Sequence, residues 1–182
     1  MDVIEAIHKR RSVRSFTDQP VPDELVWQII EAGTWAPTSG NMQAWEFVVV
    51  KDRDARRKVV DTTDAGSLGR AGVYTQEWMM MAPVIIVVCY DVKRMTARYG
   101  QKGRELLTVL DCMGCVQNIL LAATHFGLGT CCAVGFNPQA LKENLPIPEE
   151  ITPLLLVLLG HAAQHPPPPH RLPVEDVVRL VI

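Results

Sequence analysis

Arg10-Arg11-Ser12-Val13-Arg14-Ser15-Phe16 is the stretch of this sequence that decides the fold. It places three guanidinium groups and a hydroxyl within five residues, directly after an amphipathic segment, Val3–Lys9, that predicts the first helix. A guanidinium group binds two phosphate oxygens at once, so the stretch is suited to a small phosphate ligand. Cations at the end of a helix also stabilise its dipole while they stay solvated, and this stretch alone does not decide between the two roles.

Three further stretches follow along the chain. The second, Ala36-Pro37-Thr38-Ser39-Gly40-Asn41-Met42-Gln43-Ala44-Trp45, is a polar loop that leads into the apolar run 46–50. The third is Gln117-Asn118-Ile119-Leu120-Leu121-Ala122-Ala123, continued by Gly127-Leu128-Gly129-Thr130-Cys131, and the fourth is Arg171-Leu172-Pro173 followed by residues 174–178. In this order and spacing, the four stretches resemble the motifs of the FMN-dependent nitroreductase family over residues 4–178.

The resemblance implies an α+β fold with a central, mostly antiparallel sheet flanked by helices. It implies that residues 1–182 form a single FMN-binding domain and that two chains form an intertwined homodimer. In such a dimer the C-terminal extension reaches across and adds a strand to the partner's sheet. The stiff proline run 166–169 suits that reach without proving it.

The resemblance also implies roles for individual residues. Arg10 and Ser12 are expected to bind the FMN phosphate, with Arg171 closing the same pocket. Arg14 is expected beside flavin N1, where a fixed cation stabilises the negative charge that reduction creates. The polar loop is expected to contact the cofactor from the opposite subunit, and the backbone around Gly135 to approach flavin N5. The expected cofactor-binding residues are Arg10, Arg11, Ser12, Arg14, Pro37, Thr38, Ser39, Asn41, Cys132, Ala133, Val134, Gly135, His170 and Arg171.

Two of these segments have a second interpretation. Thr38, Ser39 and Asn41 can form a polar loop that only caps the strand beginning at Trp45. Residues 132–136 can form a core strand with a bulge, an interpretation compatible with a position beside the flavin.

Two positions depart from the family pattern. Pro169 stands where a lysine often precedes the C-terminal arginine, and His170 is then a weaker, pH-dependent donor. Trp78 stands at or near the place of a second basic residue that some members hold close to flavin O2. These departures concern the polar contacts and the flavin potential rather than the identity of the cofactor.

The cysteines raise the alternatives of a metal site or a redox pair. Cys112 and Cys115 form a C-x-x-C inside a predicted helix, and Cys131 and Cys132 are adjacent. Adjacent cysteines rarely turn toward one metal, and a redox pair prefers a helix N-terminus. We therefore interpret the cysteines as small apolar packing residues, with no metal site.

Composition limits the class of partner and compartment. The net charge of −2 and the pI of about 6.2 argue against nucleic acid as a partner. The N-terminus has no signal-peptide pattern, and no apolar segment approaches the ~20 residues that span a bilayer. We expect a cytoplasmic protein that does not bind membranes.

Periodicity predicts the main elements. We expect a second helix from Pro22-Asp23, strands at Trp45–Val50, 83–89, 130–136 and 153–160, and a short helix from Asn137. Residues 104–126 are expected to form the longest helix, apolar on most faces, which favours a second subunit as its cover. Gly66, Gly69 and Gly72 predict a flexible loop or an active-site lid.

The leading functional hypothesis is a homodimeric FMN oxidoreductase. NADH or NADPH would reduce the flavin, and a small-molecule acceptor such as a nitroaromatic or a quinone would then reoxidise it. Alternatives keep FMN for another two-electron reaction, such as dehalogenation or flavin fragmentation, or hold it without turnover. A scaffold that binds a protein carboxylate is the last alternative.

Overall fold

The computed structural model describes residues 1–64 and 75–181. Four antiparallel strands form one sheet in the order β1-β2-β4-β3. The α+β fold and the antiparallel sheet are therefore confirmed, while Gly66, Gly69 and Gly72 lie outside the described residues. The strands are β1 (Trp45–Val50), β2 (Val84–Asp91), β3 (Gly129–Ala133) and β4 (Ile151–Gly160).

Helices flank the sheet on both faces. Several begin at an aspartate or asparagine that caps the first turn, as Asp2, Asp52, Asp91 and Asn137 do. The predicted first, second and short helices are confirmed, whereas α3 and α4 were not predicted. The helices are α1 (Val3–Lys9), α2 (Asp23–Thr34), α3 (Arg53–Val60), α4 (Val92–Lys102), α5 (Thr108–His125), α6 (Pro138–Asn144) and α7 (Val174–Val177).

The core has two layers separated by the sheet. Strands β2 and β4 are buried on both faces, so alternate side chains such as Ile86 and Ile85 enter opposite layers. One layer contains α2 and α5, and the other contains α3, α6 and Val13 and Phe16 from the N-terminal stretch. The arginine stretch is thereby anchored in the core by its apolar residues.

The long helix differs from its predicted bounds. It begins at Thr108 rather than Arg104, because residues Gly103–Leu107 form a π-helical turn that joins it to α4. The run Val92–His125 is long and apolar enough to cross a membrane by length and composition, although Cys115, Val116 and Ile119 pack in the core. We therefore assign this run to the core of the fold.

The edge of the sheet holds the arginine stretch in place. Val13 N donates to Thr130 O at 2.8 Å, and Ser12 forms a parallel bridge with Thr130. Ala163 N donates to Ser15 O at 2.9 Å. The stretch therefore runs along β3 like a short fifth strand, with Val13 buried and its polar neighbours exposed.

The C-terminal segment has a different character. Residues 167–181 are exposed throughout, and the one helical turn of α7 buries no residue. Its apolar side chains face solvent, with Leu172, Val174, Val177, Val178, Leu180 and Val181 all more than half exposed.

Candidate functional site

Basic side chains from both ends of the chain surround one cavity of about 350 Å³. We call it the arginine cavity. Its walls bring the N-terminal stretch together with the C-terminal Arg171, which is 157 positions from Arg14 in the sequence. Guanidinium groups with a hydroxyl form a donor set that fits a phosphate. The lining residues are Arg10, Arg11, Ser12, Arg14, Pro166, Pro167, Pro169 and Arg171.

Local structure explains how these cations are held. Ser12 and Arg14 are exposed on either side of the buried Val13, as alternation along an extended segment requires. Arg11 turns back instead: its Nη1 donates to the carbonyls of His8 at 2.7 Å and Arg10 at 2.8 Å. Arg11 therefore satisfies carbonyls at the end of α1 while it lines the cavity.

A second cavity of about 270 Å³, which we call the strand-end cavity, lies where β3 ends. Arg14 lines this cavity as well as the arginine cavity, so the two sites share a cation. The guanidinium groups of the arginine cavity suit a phosphate, and the strand-end cavity adjoins it through Arg14. The lining residues are Arg14, Asp64, Gln76, Trp78, Cys131, Cys132, Ala133, Val134 and Gly135.

Gln76 links the walls of the strand-end cavity. Its Nε2 donates to Asp64 O at 2.7 Å and to Gly135 O at 3.2 Å, and Asp64 N also donates to Gly135 O at 2.9 Å. A Cβ on residue 135 would lie 2.7 Å from Asp64 O, so glycine is required there by the neighbouring backbone. These bonds fix the peptide around Gly135 at the cavity wall.

The charges of the site affect the nearby thiols. Burial raises the pKa of Cys131, while the charges of Arg14 and Arg10 oppose that rise. Cys132 reaches solvent, yet desolvation by the surrounding protein, with a smaller contribution from Cys131, raises its pKa to about 11. Both thiols are therefore neutral at pH 7, and the arginines supply the positive potential at this end of β3.

The polar loop, residues 37–43, lies apart from both cavities of its own chain. Asp111 on α5 holds it: Ser39 N donates to Oδ2 at 2.8 Å and Ser39 Oγ to Oδ1 at 3.0 Å. Gln43 N donates to Thr38 Oγ1 at 3.1 Å. Pro37, Thr38, Ser39 and Asn41 are therefore not brought together with the arginines within one chain.

The remaining expected positions are also placed. His170 is exposed and does not line the arginine cavity, although its neighbours Pro169 and Arg171 do, and its carbonyl accepts a bond from Arg171 Nη1 at 3.1 Å. Pro169 lines the arginine cavity and Trp78 the strand-end cavity, at the two positions that depart from the family pattern. The wall of the strand-end cavity therefore carries the indole of Trp78 at or near the position where some family members have a second basic residue.

Sequence reasoning missed two residues of this region. One is Asp111, although a carboxylate in an apolar helix signals a fixed partner. Gln76 gave no signal. The other cysteines are consistent with packing, because burial raises the pKa of Cys89, Cys112 and Cys115 to about 12.

Comparisons with known proteins show which proteins the chain resembles. The NADH dehydrogenase of Thermus thermophilus is 29% identical over 98% of this chain and 95% of its own. The FMN reductase [NAD(P)H] of Bacillus subtilis is 33% identical over 97% of this chain and 72% of its own. The structure of the NADPH:FMN oxidoreductase of Vibrio harveyi complexed with NAD+ superposes with a TM-score of 0.82, at 31% identity over 98% of this chain and 76% of that one. The model of the Nitroreductase family matches residues 7–161, and the chain therefore belongs to that family.

Proposed function

We propose that this protein is an FMN-dependent oxidoreductase that transfers a hydride from NADH or NADPH to a small-molecule acceptor, such as a nitroaromatic or a quinone. The observation that carries the proposal is the pair of adjacent cavities that share Arg14. The names of the relatives, an FMN reductase and an NADPH:FMN oxidoreductase among them, support the same cofactor and donor.

The residues of the chain divide the work of binding. Arg10, Ser12 and Arg171 bind the phosphate, and Arg11 contributes its charge while it caps α1. Bound FMN supplies the redox chemistry, because its ring accepts a hydride from the reduced nicotinamide and passes two electrons to the acceptor.

Arg14 and the end of β3 then act on the ring. The Arg14 charge favours the reduced, more negative form without reorganisation at the moment of transfer. Gln76 holds the backbone at Gly135, which would lie beside the ring, by its bonds to the carbonyl oxygens of Asp64 and Gly135. Trp78 adds an apolar wall where a second cation would favour reduction further.

We further propose a homodimer in which the polar loop of one chain contacts the FMN of the other. Leu106, Leu110 and Met113 lie three and four residues apart on the helical run and are 47, 56 and 44% exposed, which is an apolar stripe for a second copy. The exposed apolar residues of the C-terminal segment also favour burial against a second copy of the chain. Deleting residues 174–182 is expected to lower both dimer stability and FMN occupancy in sedimentation experiments, and a stable, fully flavinated monomer would contradict the dimer.

Anaerobic reduction tests the function. The purified protein is expected to be yellow, with one FMN per chain, and to bleach when NADH or NADPH is added. Reoxidation by a nitroaromatic or a quinone completes the cycle. A yellow colour that persists with both donors would favour a flavin-binding protein without turnover, and a colourless protein that does not take up FMN would overturn the proposal.

We also propose a cytoplasmic location, because reduced nicotinamide nucleotides are intracellular donors. Dehalogenation and flavin fragmentation remain the alternative reactions, and product analysis with the same reduced protein distinguishes them from reduction of a nitroaromatic or a quinone.

A further inference from the structure

The α4 region carries a concentration of positive charge that the proposed FMN site does not use. Residues 92–104 contain five cations and no carboxylate, in a chain whose net charge is −2. All five cations are exposed. Arg94 and Arg98 lie four residues apart on one face of α4, and two exposed guanidinium groups so placed attract a small anion. The cations are Lys93, Arg94, Arg98, Lys102 and Arg104.

Two of these cations lie directly on the polar loop. Arg94 Nη1 donates to Gln43 O at 2.7 Å, and Arg98 Nη1 lies 3.4 Å from Gly40 O. Gly40 has a φ of +58°, and a Cβ there would lie 2.8 Å from Arg98 Nη1. The Arg98 guanidinium therefore rests against the tip of the loop.

Arg98 is the better placed of the two to bind a ligand. Arg94 is engaged by Gln43 O and by the carboxylate of Asp91 at 3.6 Å. Arg98 makes one long hydrogen bond, to Gly40 O, and its guanidinium carbon lies 5.4 Å from the centre of the Tyr99 ring, while a guanidinium has five N–H donors. Most of its hydrogen-bonding capacity thus remains for an anion that arrives from solvent.

We propose that Arg98 binds a phosphate group of the reduced nicotinamide dinucleotide that docks at the partner's flavin. The inference rests on the proposed function, because it requires the polar loop to lie at the partner's FMN. Hydride transfer brings the nicotinamide onto the flavin, and the rest of the dinucleotide then extends outward past the residues that border it. A cation on the loop meets the diphosphate there, or the additional 2′-phosphate of NADPH.

The test compares two dinucleotides that differ by one phosphate with a small hydride donor that has no phosphate, ribose or adenine. Steady-state kinetics are measured with NADPH, with NADH and with 1-benzyl-1,4-dihydronicotinamide, which has no phosphate. In Arg98→Glu, the KM for the dinucleotides is expected to rise about tenfold, while kcat/KM for the benzyl compound stays at the wild-type value. An increase for NADPH alone assigns the contact to the 2′-phosphate, and an increase for both dinucleotides that spares the benzyl compound assigns it to the diphosphate and adenosine portion that they share.

Two further variants separate charge from structure. Arg98→Gln keeps an N–H for Gly40 O but loses the charge, and about a threefold rise in KM is expected. Lys93→Glu makes the same change in charge about 140° around the helix from Arg98, and its KM values are expected to stay within about twofold of the wild type.

Any of three results would overturn the inference. Unchanged KM values for both dinucleotides in Arg98→Glu would show that Arg98 contacts no phosphate. An equal loss with the benzyl compound would show that Arg98 only holds the loop. If the flavinated wild type oxidises none of the three donors, the proposed function fails, and the inference fails with it.

Discussion

The two parts of the candidate site are completed in different ways. The arginine cavity and the strand-end cavity form within one chain, because backbone bonds from Val13 and Ala163 fix their walls to the sheet. The polar loop is held by hydrogen bonds to Asp111 and from Arg94, yet it borders neither cavity. Phosphate binding should therefore be a property of one chain, and the polar loop should matter only through the partner.

The largest expected effect comes from Arg171, which joins the arginine cavity from the far end of the chain. Arg171→Glu replaces an attraction for the phosphate by a repulsion, so we expect the Kd for FMN to rise about 100-fold. Arg179→Glu changes the same charge on the same exposed segment and should leave the Kd nearly unchanged. An FMN titration that gives equal Kd values for wild type and Arg171→Glu would remove Arg171 from the site.

The strand-end cavity is tested by the reactivity of its exposed thiol. Because desolvation raises the pKa of Cys132 to about 11, its thiolate fraction should increase about tenfold per pH unit between pH 7 and pH 10. Alkylation of the apoprotein by iodoacetamide should follow that increase and should be suppressed by bound FMN. Cys89, Cys112 and Cys115 are buried and should stay unmodified in the folded protein, as mass spectrometry of digested samples can determine. Equal labelling of Cys132 with and without FMN would place the flavin elsewhere.

A smaller effect is expected at the polar loop. Asp111→Ala removes the acceptor of both Ser39 bonds, and at about 1 kcal/mol for the bonds lost we expect FMN affinity to fall roughly fivefold. Ser39→Ala keeps the backbone bond and should have about half of the effect in free energy. The measurement is the Kd for FMN beside the melting temperature. A lower melting temperature with an unchanged Kd would show that the loop stabilises the fold without touching the cofactor.

The elements that the sequence predicted share a strong local signal. Strand β4 is a run of apolar residues bounded by turns, and its burial on both faces matches its composition. Helix α3 shows why others were missed: it buries only Val59 and Val60, so it has too few apolar residues to be recognised among its charged ones. Helix α4 was not predicted for the same reason, because Met95 is its only buried residue.

The residues of the candidate site were also predictable only where the signal was local in the sequence. The arginine stretch could be read from the residues because its charges are close together in the chain. The bond from Ser39 to Asp111 spans 72 positions and the bond from Gln76 to Gly135 spans 59. Neither pair belongs to a local pattern, and each depends on how the sheet brings distant segments together. Such contacts require the fold.

The last prediction concerns Arg14, the cation that lines both cavities, and its effect is on the flavin potential rather than on FMN affinity. Its charge is expected a few ångströms from the part of the ring that becomes negative on reduction, an interaction of about 4 kcal/mol at an effective dielectric constant near 20. Exposure to solvent lowers this to about 1–2 kcal/mol. Arg14→Gln should therefore keep most of its FMN and lower the reduction potential, by roughly 30 mV for each 1.4 kcal/mol in a two-electron couple.

Arg10→Gln is the matched control for Arg14, because Arg10 lines the arginine cavity but not the strand-end cavity. It should weaken FMN binding and leave the potential of the remaining bound flavin nearly unchanged, since its charge neutralises the phosphate rather than the ring. Potentiometry of both variants, with reduction by NADH or NADPH followed in parallel, separates the two roles. Equal potentials in wild type and Arg14→Gln would mean that the shared cation serves only the phosphate, and that the strand-end cavity tunes the ring through its backbone alone.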